Sequence, residues 1–224
     1  MTYKAAVLFD LDGTLVDTAA DFVAVLNQMR QNDGLPPLDD KLIRNTVSDG
    51  ARALVTLAYA LREGDAGFED KRQELLNRYE QELGKAAHLF TGFEPLLKQL
   101  EAQNIGWGIV TNKPWRFTEP LLQRLQLKPS NDVAICPDHV TRTKPDAEPL
   151  LLAASKLGLG KQHCLYAGDH ERDIQAGRNA NMHTIACGYG YIHPEHNIHD
   201  WQADTVVHSV EELNAFLNHY FNNA

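Results

Sequence analysis

Two carboxylates, Asp10 and Asp12, stand directly behind an apolar run at residues 5–9, and Gly13 and Thr14 follow them. Asp and Gly are common turn residues, so this stretch alone is compatible with an ordinary turn at the end of a strand. A buried strand that ends on two like charges is also what we expect at the edge of a site that uses carboxylates for chemistry. The choice between these interpretations depends on the residues at the ends of the other strands.

Further side chains that could do chemistry stand at the ends of other apolar runs or before an expected helix, namely Thr111, Asn112, Lys144, Asp169 and Asp173. Ligands of an open parallel sheet bind at the carboxyl ends of its strands, so we expect these groups to converge on one rim with Asp10 and Asp12. Carboxylates gathered on a rim repel each other unless a cation lies among them, and Mg²⁺ suits oxygen ligands and phosphate. A hydroxyl, an amide and an ammonium group would then hold phosphoryl oxygens. One carboxylate could act as the nucleophile, and the other as general acid and base.

The elements that must position these groups alternate between strand and helix. Six apolar runs of strand length occur, at residues 5–9, 105–110, 133–136, 163–167, 182–187 and 205–207. Amphipathic stretches predict helices at residues 114–125, 145–157, 171–179 and 210–220, and the first two begin with Pro, which suits a first helical turn. Strands alternating with helices form a parallel sheet covered on both faces, so we predict an α/β fold with a doubly wound, Rossmann-like core.

One region breaks this alternation, because residues 17–88 contain no convincing strand pattern. Helical patterns occur there instead, at residues 20–31, 40–46, 50–61 and 68–83. We therefore predict a small all-helical cap at residues 17–88, inserted after the first strand of a core that comprises residues 1–16 and 89–224. The stretches "LVDTAAD" and "HLFTGFEP" would supply the two strands of a hinge between cap and core.

Composition excludes several classes of protein. The chain has 224 residues, 43% of them hydrophobic, and a net charge of −9, which disfavours a general nucleic-acid binder but not local phosphate binding. No stretch approaches the roughly 20 apolar residues of a membrane span, and the N-terminus lacks signal-peptide architecture. The three cysteines are widely spaced and odd in number, which predicts reduced, buried thiols. We expect a cytoplasmic protein with no membrane or nucleic-acid partner, and leave its oligomeric state open.

The order of these motifs resembles the haloacid dehalogenase superfamily of phosphotransferases. The family's four motifs are a strand followed by Asp-x-Asp-Gly-Thr, a Thr or Ser at a strand end, a Lys before a helix, and Gly-Asp with a further Asp. They match in order Asp10, Asp12, Gly13 and Thr14; Thr111; Lys144; and Gly168, Asp169 and Asp173. The family also carries a helical cap after its first motif, where residues 17–88 lie.

This resemblance implies a role for each matching side chain. Asp10 would be the nucleophile that forms an aspartyl-phosphate, and Asp12 would protonate the leaving group and then activate water. Thr111 and Asn112 would hold the phosphoryl oxygens as substrate-binding residues. Lys144 would steady both the nucleophile and the phosphoryl group, which makes it both catalytic and substrate-binding.

The resemblance also implies a Mg²⁺ site. Asp10, the main-chain carbonyl of Asp12, and Asp169 would bind the metal. Asp173 would help by contacting the groups that bind it. In this chain the fourth motif reads "GDHERD", so Asp169 and Asp173 are four residues apart. Which of these two touches the metal directly stays open at this stage.

A closer resemblance concerns the substrate class. The stretches "LIRNTVSDGARALV", "VTNKPWRFTEPLL", "ICPDHV", "KPDAEPLLLA" and "GYGYIHPEHN" resemble the bacterial phosphoglycolate phosphatase group, and within it the phosphatases of N-acetylmuramic acid 6-phosphate in cell-wall recycling. The resemblance implies that the chain hydrolyses a small phosphorylated metabolite, either N-acetylmuramic acid 6-phosphate or 2-phosphoglycolate. Substrate choice in this family depends on a few cap residues.

Three other enzymatic activities and one non-catalytic role are alternatives to phosphate hydrolysis. A sugar-phosphate mutase resembling phosphoglucomutase would use the same residues, and its product would distinguish it from a phosphatase. Asp12 opposes a dehalogenase, because that chemistry needs no proton donor for an alkoxide. No cap Lys is identifiable as the Schiff-base group of a phosphonatase. A non-catalytic module that binds phosphorylated metabolites is disfavoured because all four motifs are intact.

Some charged and aromatic residues outside the motifs admit two interpretations. Arg44 and Arg52 in the predicted cap are candidates for binding an anionic part of the substrate, although solvated helix faces commonly carry arginine. His193, His196 and His199 could suggest zinc, but the Pro in this stretch and the absence of nearby Cys favour a solvated or substrate-facing loop.

Overall fold

The computed structural model describes residues 3–222, and its centre is a sheet of six parallel strands in the order β5-β4-β1-β6-β7-β8. The strands of this sheet are β1 (Ala5–Phe9), β4 (Ile105–Val110), β5 (Ala134–Ile135), β6 (Cys164–Gly168), β7 (His183–Cys187) and β8 (Thr205–Val207). The chain winds from β1 first to one side and then to the other. This confirms the predicted doubly wound core, with its topological switch point at β1.

Nine helices accompany the strands in the described part of the chain. The first four are α1 (Ala19–Asn32), α2 (Asp40–Thr46), α3 (Gly50–Tyr59) and α4 (Phe68–Glu82). The other five are α5 (Phe93–Ala102), α6 (Trp115–Arg124), α7 (Glu148–Lys156), α8 (Glu171–Ala180) and α9 (Val210–Asn222). We call α1–α4 the cap helices.

Both faces of the sheet are buried, which explains why its strands are continuously apolar. Alternate residues of β1 point to opposite faces. Val7 and Phe9 belong to the larger apolar cluster, which extends into the cap helices, whereas Ala6 and Leu8 belong to a second cluster under α7. The resulting layers hold the carboxyl ends of β1, β4 and β6 side by side at one rim.

A short antiparallel ladder joins the cap helices to the core. Its strands, β2 (Val16–Asp17) and β3 (His88–Leu89), pair Val16 with Leu89 and Asp17 with His88. All four cap helices lie between these strands, as the sequence pattern predicted. The chain therefore leaves the core at β2 and returns to it at the adjacent β3. Strand β2 begins six residues after Asp10.

Several elements differ from those predicted from the sequence. The helix expected to begin at Pro145 begins at Glu148, because Asp146 first closes a turn onto the carbonyl of Thr143 at 2.9 Å. Helix α5 was not predicted at all, although the apolar residues Phe93, Leu96, Leu97 and Leu100 recur at helical spacing. The run at 133–136 is also shorter as a strand, since only Ala134–Ile135 pair with β4.

The three cysteines agree with the compositional analysis. Cys136, Cys164 and Cys187 are buried and free of disulfides, as predicted. Within residues 3–222, none of the helices combines the length and the apolar character that crossing a bilayer requires.

Asp21 provides a test of how the cap is anchored. Its buried carboxylate accepts hydrogen bonds from the backbone N–H groups of Gly84 and Ala86, at 2.6 and 2.8 Å, where the chain returns to the core. In Asp21→Asn, one of these N–H groups would face an amide NH₂, so we expect the free energy of unfolding to fall by about 1–3 kcal/mol. Urea denaturation measures this, with Glu80→Gln on the exposed face of α4 as the control. A loss no larger than that of the control would show that Asp21 is not the anchor.

Candidate active site

The carboxylates of Asp10, Asp169 and Asp173 form a buried cluster at the rim of the sheet. Asp10 directly follows β1, Asp169 directly follows β6, and Asp173 lies in the first turn of α8. One oxygen from each lies within 4.8 Å of the others. The parallel strands β1 and β6 therefore bring Asp10 together with Asp169 and Asp173, which are about 160 positions away in sequence. We call these three residues the acidic cluster.

Lys144 bridges two members of the acidic cluster. Its ammonium donates to Asp10 Oδ1 at 2.8 Å and to Asp173 Oδ1 at 2.7 Å. The same group lies 3.0 Å from the carbonyl of Val110 and 2.9 Å from the Tyr166 hydroxyl, and the side chain is only 3% exposed. A buried lysine with these four oxygen neighbours is held in one place.

Lys144 pairs with Asp10 and Asp173, but within residues 3–222 no cationic side chain pairs with Asp169. Its carboxylate accepts from Thr14 Oγ1 at 3.0 Å, from the Tyr191 N–H at 2.8 Å and from Ser48 Oγ at 3.2 Å, all of which are neutral donors. Burial, with the charges of Asp10 and Asp173, raises the pKa of Asp169 to about 8. In the absence of a further cation, the folded protein would therefore keep a proton on Asp169 at neutral pH.

The other two members of the acidic cluster respond differently to Lys144. Burial raises the pKa of Asp10 despite the opposing effect of Lys144. At Asp173 burial acts in the same direction, but Lys144 and Arg172 outweigh it and hold the pKa low. Three buried carboxylates against one bonded ammonium form a set of hard oxygen donors with excess negative charge, which fits a divalent cation such as Mg²⁺.

Asp12 lies outside the acidic cluster. Its Oδ1 accepts from Lys113 Nζ at 2.8 Å and from Thr18 Oγ1 at 2.6 Å. Lys113 also donates to the Tyr79 hydroxyl of α4 at 2.8 Å, so the pair links the core to a cap helix. Asp10 and Asp12, two residues apart, therefore have different partners and different electrostatic surroundings.

Lys113 is a site residue that was not among the candidates identified from the sequence. The structure buries it to 9% exposure and places it in contact with Asp12. Its position, directly behind Thr111 and Asn112 at the end of β4, was the signal that could have identified it. A lysine is buried in this way only when it is paired.

Thr111 and Asn112 lie at the rim as predicted, but their side chains also have structural partners. Thr111 Oγ1 accepts from the Lys113 N–H at 3.1 Å, and Asn112 Nδ2 donates to the main-chain carbonyl of Lys144 at 3.0 Å. Asn112 thus supports the segment that presents the Lys144 ammonium. Both side chains line the cavity that opens over Asp10.

That cavity has a volume of about 420 Å³ and lies between the cap helices and the core. The core supplies polar walls, including Asp10, Asp12, Thr111 and Lys144, and the cap helices supply residues such as Phe22, Arg52, Arg72, Leu76 and Tyr79. This volume falls in the range of small-molecule sites. The predicted site residues Asp10, Asp12, Thr111, Asn112 and Lys144 share this one cavity.

The two cap arginines considered from sequence have different positions. Arg52 lines the cavity. Arg44 pairs with Asp17 at 2.7 Å and lies over the Tyr191 ring, 4.7 Å from its centroid. Because its charge is used at the β2 strand, the structure does not support Arg44 as a substrate-binding residue.

Tyr191 is a site residue that the sequence analysis missed. Its N–H donates to Asp169, and its hydroxyl accepts from the N–H groups of Thr18 and Ala19, at 2.7 and 3.0 Å, while lying 2.8 Å from Asp17 Oδ1. Tyr191 thus connects the acidic cluster, through its backbone N–H, to the start of α1, through its hydroxyl. The "GYGY" stretch was quoted only as part of a resemblance, without a role for its tyrosines.

Gly190 explains why this loop can approach so closely. A Cβ at this position would lie 2.3 Å from Asp169 Cβ and 2.5 Å from the carbonyl oxygen of Gly13. Real Cβ atoms do not make such contacts, and two backbone segments have no freedom to withdraw. Only glycine fits here.

The cap also touches the acidic cluster directly, through the 3₁₀ turn Val47–Asp49 that follows α2. Ser48 Oγ donates to Asp169, and its carbonyl accepts from Arg172. Asp49 Oδ1 lies 3.2 Å from His170 Nε2. The turn Val47–Asp49 therefore contacts the loop after β6 and the first turn of α8 at the rim of the sheet.

The histidines considered from the sequence, His193, His196 and His199, do not form a metal site. The rings of His193 and His196 lie 5.5 Å apart, and His199 lies beside His208 instead. In the described part of the chain, the side chains spaced to hold a metal ion are those of the acidic cluster.

Comparisons with known proteins agree with this geometry. Residues 7–187 match the family model for haloacid dehalogenase-like hydrolases. The chain is 49% identical over 208 residues to N-acetylmuramic acid 6-phosphate phosphatase from Pseudomonas aeruginosa, covering 93% of this chain and 92% of that protein. It is 41% identical to phosphoglycolate phosphatase from Xanthomonas campestris, covering 95% and 96%. The fold is similar to that of a haloacid dehalogenase-like hydrolase from Streptococcus pneumoniae, with a TM-score of 0.78, 21% identity and coverage of 95% and 98%.

The raised pKa of Asp169 gives a test of the acidic cluster. In EDTA, we expect the wild type to lose stability relative to Asp169→Asn as the pH rises from about 4 to about 8. The unfolded chain releases the proton near the ordinary value of 3.8, whereas the folded chain retains it, so the loss is at most about 1.4 kcal/mol per pH unit. Saturating Mg²⁺ should abolish the difference between the two proteins in how the free energy of unfolding changes with pH.

Chemical denaturation across this pH range measures the effect. Asp70→Asn, at an exposed position of α4, is the control and should follow the wild type. Parallel curves for the wild type and Asp169→Asn in EDTA would contradict the excess negative charge assigned to the acidic cluster.

Proposed function

The chain belongs to the haloacid dehalogenase-like hydrolase family and is a phosphomonoester hydrolase, and on this premise we propose that it acts through an aspartyl-phosphate on Asp10 and requires Mg²⁺. The observation that carries the proposal is the Lys144 ammonium fixed 2.8 Å from Asp10 Oδ1 inside the cavity. This contact orients the Asp10 carboxylate and favours its charged form, against the larger opposing effect of burial on its pKa. The second oxygen of Asp10 is then left for attack on phosphorus.

In the first step, an Asp10 oxygen forms a bond to phosphorus as the bond between phosphorus and the ester oxygen breaks. Asp12 gives a proton to the departing oxygen, which leaves as an alcohol. In the second step, Asp12 takes a proton from water, whose oxygen attacks phosphorus. The bond between phosphorus and Asp10 breaks, and inorganic phosphate and the Asp10 carboxylate are regenerated.

Asp12 can serve in both steps because its partners differ from those of Asp10. Lys113 Nζ and Thr18 Oγ1 donate to Asp12 Oδ1 at 2.8 and 2.6 Å. These hydrogen bonds fix the Asp12 carboxylate at the wall of the same cavity. A general acid and base must stay near the ester oxygen without joining the acidic cluster. We assign Lys113 as the residue that positions Asp12.

The oxygens of the phosphoryl group would be held by Thr111, Asn112 and Lys144, which line the cavity beside Asp10. Asp10, Asp169 and the main-chain carbonyl of Asp12 would hold Mg²⁺. Because one oxygen of Asp173 also lies within 4.8 Å of an oxygen of Asp10 and of Asp169, Asp173 is a candidate ligand too. When bound, the metal would neutralise the carboxylates and the phosphoryl charge, which lets anionic substrate approach an anionic nucleophile.

For the substrate, we propose N-acetylmuramic acid 6-phosphate, which places the enzyme in peptidoglycan recycling, with 2-phosphoglycolate as the second candidate. The support is the 49% identity to a phosphatase named for the first compound, against 41% for one named for the second. A cavity of about 420 Å³ also offers more room than a two-carbon acid needs. The free, buried cysteines suit the cytoplasmic location that this role requires.

We also propose that residues 17–88 form a separate cap that opens and closes on the core at β2 and β3. The support is that the chain enters and leaves this region through one short ladder, Val16–Asp17 against His88–Leu89. Closure would form the contacts of Tyr79 with Lys113 and of Ser48 with Asp169. It would also exclude bulk water from the reacting phosphate.

Replacement of the nucleophile gives a direct test. Asp10→Asn preserves the shape of the side chain but removes its nucleophilic charge, so we expect phosphate release to fall by about 10³-fold or more. The fold should persist, because the substitution also relieves repulsion within the acidic cluster. Phosphate release and circular dichroism measure the two effects, with Asp40→Asn at the exposed start of α2 as the control. Unchanged turnover in Asp10→Asn would exclude this residue as the nucleophile.

The function itself is tested by kcat/KM across a panel of phosphomonoesters that includes both candidate substrates, with and without EDTA. The proposal expects free inorganic phosphate as the product, full loss of activity in EDTA, and the highest kcat/KM for N-acetylmuramic acid 6-phosphate. An isomerised sugar phosphate would establish a mutase instead. Full activity in excess EDTA would remove the metal from the mechanism.

A further inference from the structure

Three arginines of the cavity wall take no part in the contacts around Asp10. Arg52 lies in the first turn of α3, Arg72 lies on α4, and Arg116 lies at the start of α6. Arg172, the fourth arginine of the wall, is already bonded to the carbonyl of Ser48. The first three therefore lie where the part of a substrate other than the phosphoryl group would be bound.

Arg116 is the least compensated of the three. Within residues 3–222 no carboxylate lies within ion-pair distance of it, and the side chain is exposed toward the cavity. Its guanidinium carbon lies 4.4 Å from the centroid of the Phe117 ring. Stacking on a ring fixes the plane of the guanidinium group while leaving its N–H edge free to donate.

Arg52 and Arg72 are held together by a shared partner. Glu69 accepts from Arg72 Nε at 2.7 Å and lies 3.3 Å from Arg52 Nη1, which also pairs with Glu63 at 2.5 Å. These pairs are exposed and contribute little to stability. Their effect is to place the guanidinium groups of Arg52 and Arg72 at the cavity wall. Together with Arg116 there are three guanidinium groups against the carboxylates of Glu63 and Glu69, which leaves a surplus positive charge.

We propose that Arg116, supported by Arg52 and Arg72, forms a carboxylate-binding subsite in the cavity over Asp10. The inference rests on the proposed function and adds to it the chemistry of the rest of the substrate. A guanidinium group presents its donors as a planar fork that matches a carboxylate with two parallel hydrogen bonds. The preferred substrate is therefore a phosphomonoester that carries a carboxylate.

The subsite has a matched pair of test compounds. N-acetylmuramic acid 6-phosphate carries a lactyl carboxylate, and N-acetylglucosamine 6-phosphate is the same sugar phosphate without the lactyl group. Apolar residues beside the arginines, such as Leu76 and Phe117, would contact either sugar alike. The difference in kcat/KM between the two compounds therefore isolates the carboxylate.

The experiment measures kcat/KM for both compounds with the wild type, Arg116→Ala, Arg116→Lys and the control Arg78→Ala. Arg78 lies on α4 and pairs with Glu74, so its loss should change neither value. We expect Arg116→Ala to lower kcat/KM for the carboxylate compound about 10- to 100-fold more than for its counterpart. Arg116→Lys should recover only part of this, because lysine keeps the charge but not the fork. The inhibition constant of inorganic phosphate reports whether the phosphoryl end is intact.

The outcomes separate the subsite from the function. Equal losses on both compounds, or no loss on either, in Arg116→Ala would overturn the subsite while leaving the phosphatase in place. Equal kcat/KM for the two compounds in the wild type would do the same. Failure of the wild type to release phosphate from every compound of the panel would overturn the proposed function, and the subsite with it.

Discussion

Three buried carboxylates share one bonded ammonium at the rim of the sheet, and the rest of the site is arranged around that imbalance. Lys144 contacts Asp10 and Asp173, at 2.8 and 2.7 Å, and Asp169 is left with neutral donors. Because burial penalises an unpaired charge strongly, this arrangement is stable in its ionised form only with a further cation. Substrate phosphate brings more negative charge to the same place, which increases the requirement.

The same constraint explains the loops around the acidic cluster. Gly190 allows its loop to pass against Asp169, so that the Tyr191 N–H can reach the carboxylate. The Tyr191 hydroxyl then bonds to the start of α1, and Ser48 of the cap donates to Asp169 from the other side. Through Tyr191 and Ser48, Asp169 is thus connected to the start of α1 and to the turn that follows α2. Any motion of the cap has to break or form these bonds.

Much of this was predictable from local pattern. The strands at residues 5–9 and 105–110 were predicted with correct bounds, because buried parallel strands are continuously apolar and end sharply at polar residues. Topology alone then placed Asp10, Thr111 and Asp169 at one rim. The partners of long side chains could not be predicted, since they come from distant segments. Lys113 binds Asp12, 101 positions away, and Arg44 is taken by Asp17. Helix α5 was missed although its apolar spacing was present.

The account is tested most directly by calorimetric titration of the metal-free protein with Mg²⁺ near pH 7, in two buffers of different ionisation enthalpy. Because the pKa of Asp169 is raised to about 8, this carboxylate should carry a proton before the metal binds and lose it on binding. We expect one Mg²⁺ per chain, release of close to one proton, and loss of that proton release in Asp169→Asn. Binding without proton release, or no binding at all, would contradict the central claim that the acidic cluster is completed by a cation.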